Sequence, residues 1–330
     1  MNRNVRIIGT GKYLPPKVVS AEELDQHFGL PEGTVFRKSG VKYRHQIEGE
    51  TASQMAAKAI HQALTHAGLT LDDIDCIVAT SGTYEQPIPS NASLIKEELG
   101  LKNNIPAFDF NSTCLSFVVG LDVISYLVDA GRYQRVVLVS SDITSVGINY
   151  NHLESSVLFG DGAAAVIIEQ SQSNQTSKIL SARIETYMEG VHYTEIRGGG
   201  NKMHSKNHSP QTKEEFLFAM NGRAVFKLSS KVMDGFMKEL FKEETCTLKD
   251  IDMVIPHQAS GKAMELMRLK LGIEKERFMN IIADHGNVVA ASIPMALNDA
   301  IMQNRVKRGD RVMLVGTSAG LSLGGLILVY

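Results

Sequence analysis

"TLDDIDCIVATSG", residues 70–82, returns in altered form as "TLKDIDMVIPHQA", residues 247–259, an offset of 177. Further along, "QRVVLVSS" (134–141) returns as "DRVMLVGT" (310–317), an offset of 176. Two different motifs sharing one interval to within a residue, at a period far longer than a solenoid repeat, predict a duplicated domain. The polar stretch "EQSQSNQTSK" (169–178) has the composition of a linker and separates a half at 1–172 from a half at 173–330.

Within each half, the short runs "CIVAT", "RVVLVSS", "AAAVIIE", "MVIPH" and "RVMLVGT" are apolar without alternation, the pattern of strands buried on both faces. Longer segments of helical period lie between them, so each half is predicted to be a mixed sheet covered by helices. "ASQMAAKAIHQALTHAGL" (52–69) reads as one such helix, with Met55, Ala59, Ala63 and Ala67 on one face and Gly68 as its stop. "TGKYLPPKVVS", with its Pro-Pro pair, reads as loop. Residues 188–216, polar and glycine-rich, read as an irregular excursion whose His192, His204 and His208 fit no metal-binding spacing.

Bulk properties narrow the function. The chain has 330 residues, 43% hydrophobic and 21% charged, with a formal charge of −2, which gives no bulk electrostatic reason to bind nucleic acid. No apolar run approaches a membrane span, and the apolar stretch near the start is too short for a signal peptide, so a cytoplasmic location is expected. Cys76, Cys114 and Cys246 are far apart without CxxC spacing, which argues against a disulfide framework and against a zinc cage.

One cysteine has a chemical context. In "FDFNSTCLSFVVGLDVISYLVDAGRY" (108–133), Asn111, Ser112 and Thr113 are N-cap candidates, and Phe117, Val118, Leu121, Ile124, Leu127 and Val128 repeat at helical spacing up to Gly131. Cys114 is therefore expected in the first helical turn, where free N–H groups and the macrodipole would lower its pKa toward neutrality. The same N–H groups could hold an oxyanion on a carbonyl bound to the sulfur. Partners come from the second half: His257 in "VIPHQAS", just past a strand, and Asn287 in "DHGNVVAASIPMAL", at a turn before a helix. Under the offset of 176, Cys114 aligns with Ala290, so the cysteine turn and the Asn287 turn are equivalent loops of the two halves. A papain-like hydrolase, with His257 as base and Asn287 as its orienter, is compatible with these three residues taken alone.

The ordered motifs "IIGTGKYLPPKVVS", "SGVKYRH", "AFDFNSTCLSF", "VLFGDGAAAVI", "PHQAS", "HGNVVAASIPMAL" and "GTSAGLSLGG" resemble, nearly end to end, the thiolase-like condensing enzymes of the β-ketoacyl-acyl-carrier-protein synthase III type. The resemblance implies a thiolase-like α/β fold, a duplicated five-layer αβαβα sandwich of two pseudo-symmetric halves, and a homodimer. It implies Cys114, His257 and Asn287 as the catalytic triad, with the backbone N–H groups of Cys114 and Ala319 as oxyanion hole. The expected reaction is acyl transfer to Cys114, then decarboxylative condensation with a malonyl thioester carried on acyl carrier protein, without metal or redox cofactor. "GTSAGLSLGG" lacks the second cysteine of degradative thiolases. Ser81 and Gly82 stand where hydroxymethylglutaryl-CoA synthases need a Glu, and Glu85 falls later.

The chain departs from the family pattern at several points. "CLSF" places Leu115 and Ser116 beside the nucleophile, and these, with Ile88 before "PS", are the acyl-pocket candidates implied by the resemblance. The family's adenine clamp of Trp and Arg is replaced by Thr34 and Leu153, and the chain contains no Trp, so a primer carried on a carrier protein is expected. An acidic carrier would dock on Arg223, Lys227 and Lys231, four residues apart, with Lys262 and Lys270. The altered "CLSF" keeps a second reading open: an acyltransferase of the same fold that passes the acyl group to an alcohol or amine without forming a carbon–carbon bond.

Overall fold

The computed structural model describes residues 2–242 and 246–330. Its strands are β1 (Val5–Tyr13), β2 (Lys17–Ser20), β3 (Tyr43–Gln46), β4 (Cys76–Ala79), β5 (Ala107–Asp109), β6 (Arg135–Asp142), β7 (Gly162–Gln170), β8 (Lys178–Thr186), β9 (Thr194–Glu195), β10 (Ala219–Met220), β11 (Met253–Pro256), β12 (Arg311–Ser318) and β13 (Ser322–Val329). The helices are α1 (Ala21–His27), α2 (Thr34–Ser39), α3 (Ala52–Ala67), α4 (Asn91–Glu98), α5 (Ser116–Asp129), α6 (Leu153–Ser156), α7 (Gly222–Leu240), α8 (Gly261–Lys270), α9 (Ile282–His285) and α10 (Ser292–Met302).

The non-alternating strands are buried on both faces because they sit between helix layers. In β6, Val136 and Leu138 enter the central core while Val137 and Val139 enter an outer one. In β12, Val312 and Leu314 share that central core, and Met313 and Val315 face the opposite outer core. Five layers follow. Helices α3 and α4 cover a sheet of order β1-β7-β6-β4-β5; α5 and α10 fill the middle; a sheet of order β11-β12-β13-β8 comes next; α7 and α8 close the far side. Both sheets are mixed: β4 runs parallel to β6 and β11 parallel to β12, while β7 and β13 pair antiparallel. Each fully buried Val, Leu or Ile contributes about 1.5–3 kcal/mol, so the strands are held by burial from both sides.

The duplication extends to single hydrogen bonds. Thr70 and Asp73 form a capping box before β4, and Thr247 and Asp250 form the same box before β11. Asp75 then accepts from the N–H of Arg135 (3.2 Å), as Asp252 accepts from that of Arg311 (2.8 Å). The halves join through residues 171–177, because Glu169 and Gln170 belong to β7 and Lys178 opens β8. They are also clamped elsewhere: the Lys12 ammonium at the end of β1 meets Asp299 of α10 (2.6 Å) and His285 Nε2 (3.0 Å).

Helix α3 begins at a Thr51–Gln54 capping box and ends at Gly68 with φ +66°, as its sequence predicts. "TGKYLPPKVVS" is not a continuous loop: β1 runs through Tyr13 and β2 starts at Lys17, leaving only Leu14–Pro16 outside strands. The two prolines interrupt the ladder locally, and pairing with β7 and β3 resumes on either side. Residues 188–216 are irregular, with 3-10 turns and the short strand β9. His192 contacts Glu195, His204 closes a turn onto the N–H of Lys206, and His208 meets the Phe216 ring, so the three serve separate local contacts. Cys76 and Cys246 are buried in two different cores.

Candidate active site

Helix α5 starts at Ser116, so Cys114 stands two residues before it, in a sharp elbow, and not in the first helical turn. None of Asn111, Ser112 and Thr113 is the helix N-cap; that position is Leu115, which has no side-chain cap. The polar run builds the elbow. Asn111 Oδ1 accepts from the N–H of Thr113 (2.9 Å), Thr113 takes φ +49°, and the Ser116 hydroxyl donates to the Thr113 carbonyl (2.6 Å) while accepting from the N–H of Ser112 (2.8 Å).

The second half repeats this construction at an offset of 176. Asn287 Oδ1 accepts from the N–H of Val289 (3.0 Å), Val289 takes φ +44°, and the Ser292 hydroxyl donates to the Val289 carbonyl (2.9 Å). Asn111 Nδ2 points at the Gly82 carbonyl (3.5 Å), and Asn287 Nδ2 at that of Ala259 (3.3 Å), the residue equivalent to Gly82. A β-branched residue with positive φ is strained, and both elbows hold one in place with the same pair of side chains.

Two glycines let the elbows meet. A Cβ on Gly82 would strike Val289 Cγ1 and lie 3.2 Å from the Thr113 carbonyl carbon, so Gly82 is wedged between the cysteine elbow and the asparagine elbow. A Cβ on Gly316 would lie 2.6 Å from His257 Cβ and 3.4 Å from Leu115 Cδ2, which brings the histidine beside the residue next to the nucleophile. Asp142, at the end of β6, ties the halves together. Its Oδ1 accepts from the N–H groups of Gly82 and Thr83 (both 2.8 Å), and its Oδ2 accepts from that of Ala291 (3.1 Å).

The electrostatics differ from the expectation. Burial, and after it the negative charge of Asp142, push the Cys114 thiol up to about 12; the N–H groups of Ala319 and of Cys114 itself act on the sulfur in the other direction without reversing this. Cys114 lies before the helix start, and burial and the carboxylate both oppose ionisation, so the thiol is not lowered toward neutrality. Burial also raises Asp142 to about 6, against three backbone donors, and lowers His257 to about 4. The imidazole is neutral at physiological pH, and its Nδ1 lies 2.7 Å from Ser292 Oγ.

The remaining candidates fall in different places. Leu115 is fully buried against Gly316 and Gly324, and Ser116, also fully buried, spends its hydroxyl on the elbow. Ile88 is 83% exposed. Thr34 donates to the Pro31 carbonyl and accepts from Arg37, while Leu153 packs on an apolar cluster. Glu85 accepts from the N–H of Ser53 (2.7 Å), at the start of α3. Arg223, Lys227 and Lys231 are exposed on α7, and Lys262 and Lys270 on α8; Lys270 bonds the Ser230 carbonyl and pairs with Asp234 (3.3 Å), which ties the end of α8 to α7. Asp142 and Ser292 were not singled out from the sequence. A polar residue ending an apolar strand and the match of Ser292 with Ser116 under the offset are the signals that could have found them.

Residues 108–188 match the family described as 3-oxoacyl-[acyl-carrier-protein (ACP)] synthase III, and residues 241–330 match its C-terminal part. The β-ketoacyl-[acyl-carrier-protein] synthases III of Vesicomyosocius okutanii and of Neisseria meningitidis serogroup B are each 30% identical, over 100% and 98% of this chain and 100% and 99% of theirs. Crystal structures of 3-oxoacyl-[acyl-carrier-protein] synthase III from Aquifex aeolicus (29% identity) and Pseudomonas aeruginosa (26%) superpose with a TM-score of 0.88, covering 99% of this chain and 100% and 98% of theirs. With the duplicated elbows and the five layers, these similarities place the chain in the 3-oxoacyl-[acyl-carrier-protein] synthase III family of thiolase-fold condensing enzymes.

Proposed function

We propose that the chain catalyses acyl transfer to Cys114 followed by decarboxylative condensation with a malonyl thioester to a 3-oxoacyl product, in the cytoplasm, with Cys114, His257 and Asn287 as catalytic residues. The observation that carries this is the meeting of the two elbows across Gly82, with His257 set against Leu115 at Gly316.

Because the thiol lies near 12, it gives up its proton only as it attacks. Neutral His257 is the base, and the departing thiolate of the acyl donor takes the proton back. The N–H groups of Cys114 and Ala319, which already bear on the sulfur, hold the oxyanion of the tetrahedral intermediate. When the malonyl thioester enters, neutral His257 and Asn287 Nδ2 hydrogen-bond its oxygen as CO₂ leaves, and the enolate attacks the acyl-cysteine.

The relatives' names specify an acyl carrier protein, and here Lys227 and Lys231 are exposed on α7 and Lys262 and Lys270 on α8, with Lys270 reaching the Ser230 carbonyl of α7, which supports a basic docking face for an acidic carrier. Thr34 and Leu153 offer no stacking pair for adenine, so the primer arrives on a carrier or another thioester. An exposed Ile88 and the open edge of β5 support a homodimer in which the partner receives Ile88 as the end of its acyl pocket.

Intact-protein mass spectrometry tests the scheme. Incubation with a panel of acyl-CoA and acyl-carrier thioesters should add one acyl mass at Cys114, and a malonyl-carrier chase should remove it with release of CO₂. No adduct at Cys114 from any donor rejects the reading, and efficient loading from short acyl-CoA at low-micromolar KM rejects the carrier-borne primer.

A further inference from the structure

Thr113 stands one residue before the nucleophile and carries a hydroxyl that the elbow does not use. Its backbone is held from both sides: the N–H donates to Asn111 Oδ1, and the carbonyl accepts from the Ser116 hydroxyl. Its Oγ1, by contrast, is shut off from solvent and makes no hydrogen bond to any described residue. A buried hydroxyl left unpaired costs stability, so the few that a native fold keeps mark strain or chemistry.

The duplication isolates the contribution of that hydroxyl. Under the offset of 176, Thr113 corresponds to Val289; their φ angles are +49° and +44°, and each is fixed by an Asn two residues before it and a Ser three residues after it. Valine has the shape of threonine with a methyl group in place of the hydroxyl, so this turn forms around β-branched bulk and does not need the oxygen. The oxygen is present only in the copy that carries the cysteine. There it bears on the Cys114 sulfur in the same direction as the N–H groups of Ala319 and Cys114, favouring the anion. We propose that Thr113 is a further catalytic residue, whose hydroxyl donates to the Cys114 sulfur whenever that sulfur carries negative charge.

The inference rests on the catalytic reading above, in which the sulfur is charged twice per cycle. In loading, the thiol gives up its proton while a sulfur electron pair forms the S–C bond; the C–S bond of the acyl donor breaks, and the donor leaves as a thiol with that proton. In condensation, the enolate carbon bonds the acyl carbon, the S–C bond breaks with its pair passing to Cys114, and the sulfur takes a proton from solvent. The resting thiol leaves the hydroxyl unbonded, so the contact is stronger in these steps than before them. Interactions of that kind raise rate rather than affinity. Asp142 is the charged group that opposes the anion, and the hydroxyl offsets part of its effect.

Thr113→Val copies a side chain that the same turn already holds at Val289, so it should fold with an unchanged or raised melting temperature. Single-turnover acylation of Cys114, followed by intact-protein mass spectrometry, should slow about ten- to hundredfold, the worth of one hydrogen bond to a charged group. Alkylation of Cys114 by iodoacetamide should move to higher pH, a change that a purely structural residue would not produce. Thr113→Ser, which keeps the hydroxyl, should restore both. Unchanged acylation in Thr113→Val, or an alkylation profile that stays in place, overturns the proposal. A lower melting temperature in that variant does the same, because the hydroxyl would then serve the fold, and so does a loss that Thr113→Ser fails to recover. A Cys114→Ala variant that still takes up acyl mass would instead remove the catalytic reading itself.

Discussion

The Cys114 thiol resists ionisation because two effects of its surroundings agree. Water is displaced from the sulfur, and the Asp142 carboxylate bears on it through the same low-dielectric interior. Its folded pKa near 12 lies above the ordinary thiol value of 9, so the folded state binds the proton more tightly; the resulting stability is whole below pH 9 and is lost as pH rises toward 12. Alkylation of Cys114 by iodoacetamide should accordingly be slow at pH 7 and climb only through the alkaline range. Asp142→Asn removes the charge and should move that profile to lower pH; an unmoved profile would mean that the carboxylate does not act on the sulfur.

At the scale of elements, the candidate residues Cys114 and Asn287 are held by two copies of one strand-to-helix turn. Each uses an Asn to fix a positive-φ residue and a Ser to close the helix start. What the copies need is close approach, which depends on residues without side chains. Gly316→Ala is expected to push on His257 Cβ, at 2.6 Å, and to draw the imidazole away from Ser292. Overpacking of this kind costs about 1–3 kcal/mol. A lowered melting temperature together with a fall in kcat of about tenfold or more should follow if His257 acts as proposed, because displacement of a positioned catalytic group loses far more rate than stability. Unchanged kcat would show that the glycine serves only the backbone.

The molecule as a whole keeps its chemistry in the middle and offers its basic helices, α7 and α8, at the far side of the second sheet. No helix among the described residues is long and apolar enough to cross a membrane. With a formal charge of −2 overall, the proposed docking of an acidic carrier would rest on this local surface. Reversing Lys227 and Lys262 to Glu should raise KM for malonyl-carrier substrate about tenfold while leaving the rate with small thioesters unchanged, since surface charge governs encounter more than chemistry. Steady-state kinetics with both substrate forms separates the outcomes, and equal losses would refute docking there.

The duplication and the mixed sheets were legible in the sequence because they follow from local pattern: continuous apolar runs and a repeated interval; Cys114, His257 and Asn287 stood out as site candidates through the family resemblance. The strand character of Thr10–Tyr13 and Lys17–Ser20 was not, since the prolines between them hide pairing partners distant in the chain. Nor was the state of the nucleophile. A helix start argues for an easily ionised thiol, but Cys114 lies outside the helix and shares its interior with a carboxylate 28 residues further along the chain. The partner of His257 Nδ1 is likewise a hydroxyl 35 residues away. Sequence spacing specifies which groups are present and on which element; protonation follows from desolvation and from the partner each donor finds, and both exist only once the two halves have closed on each other.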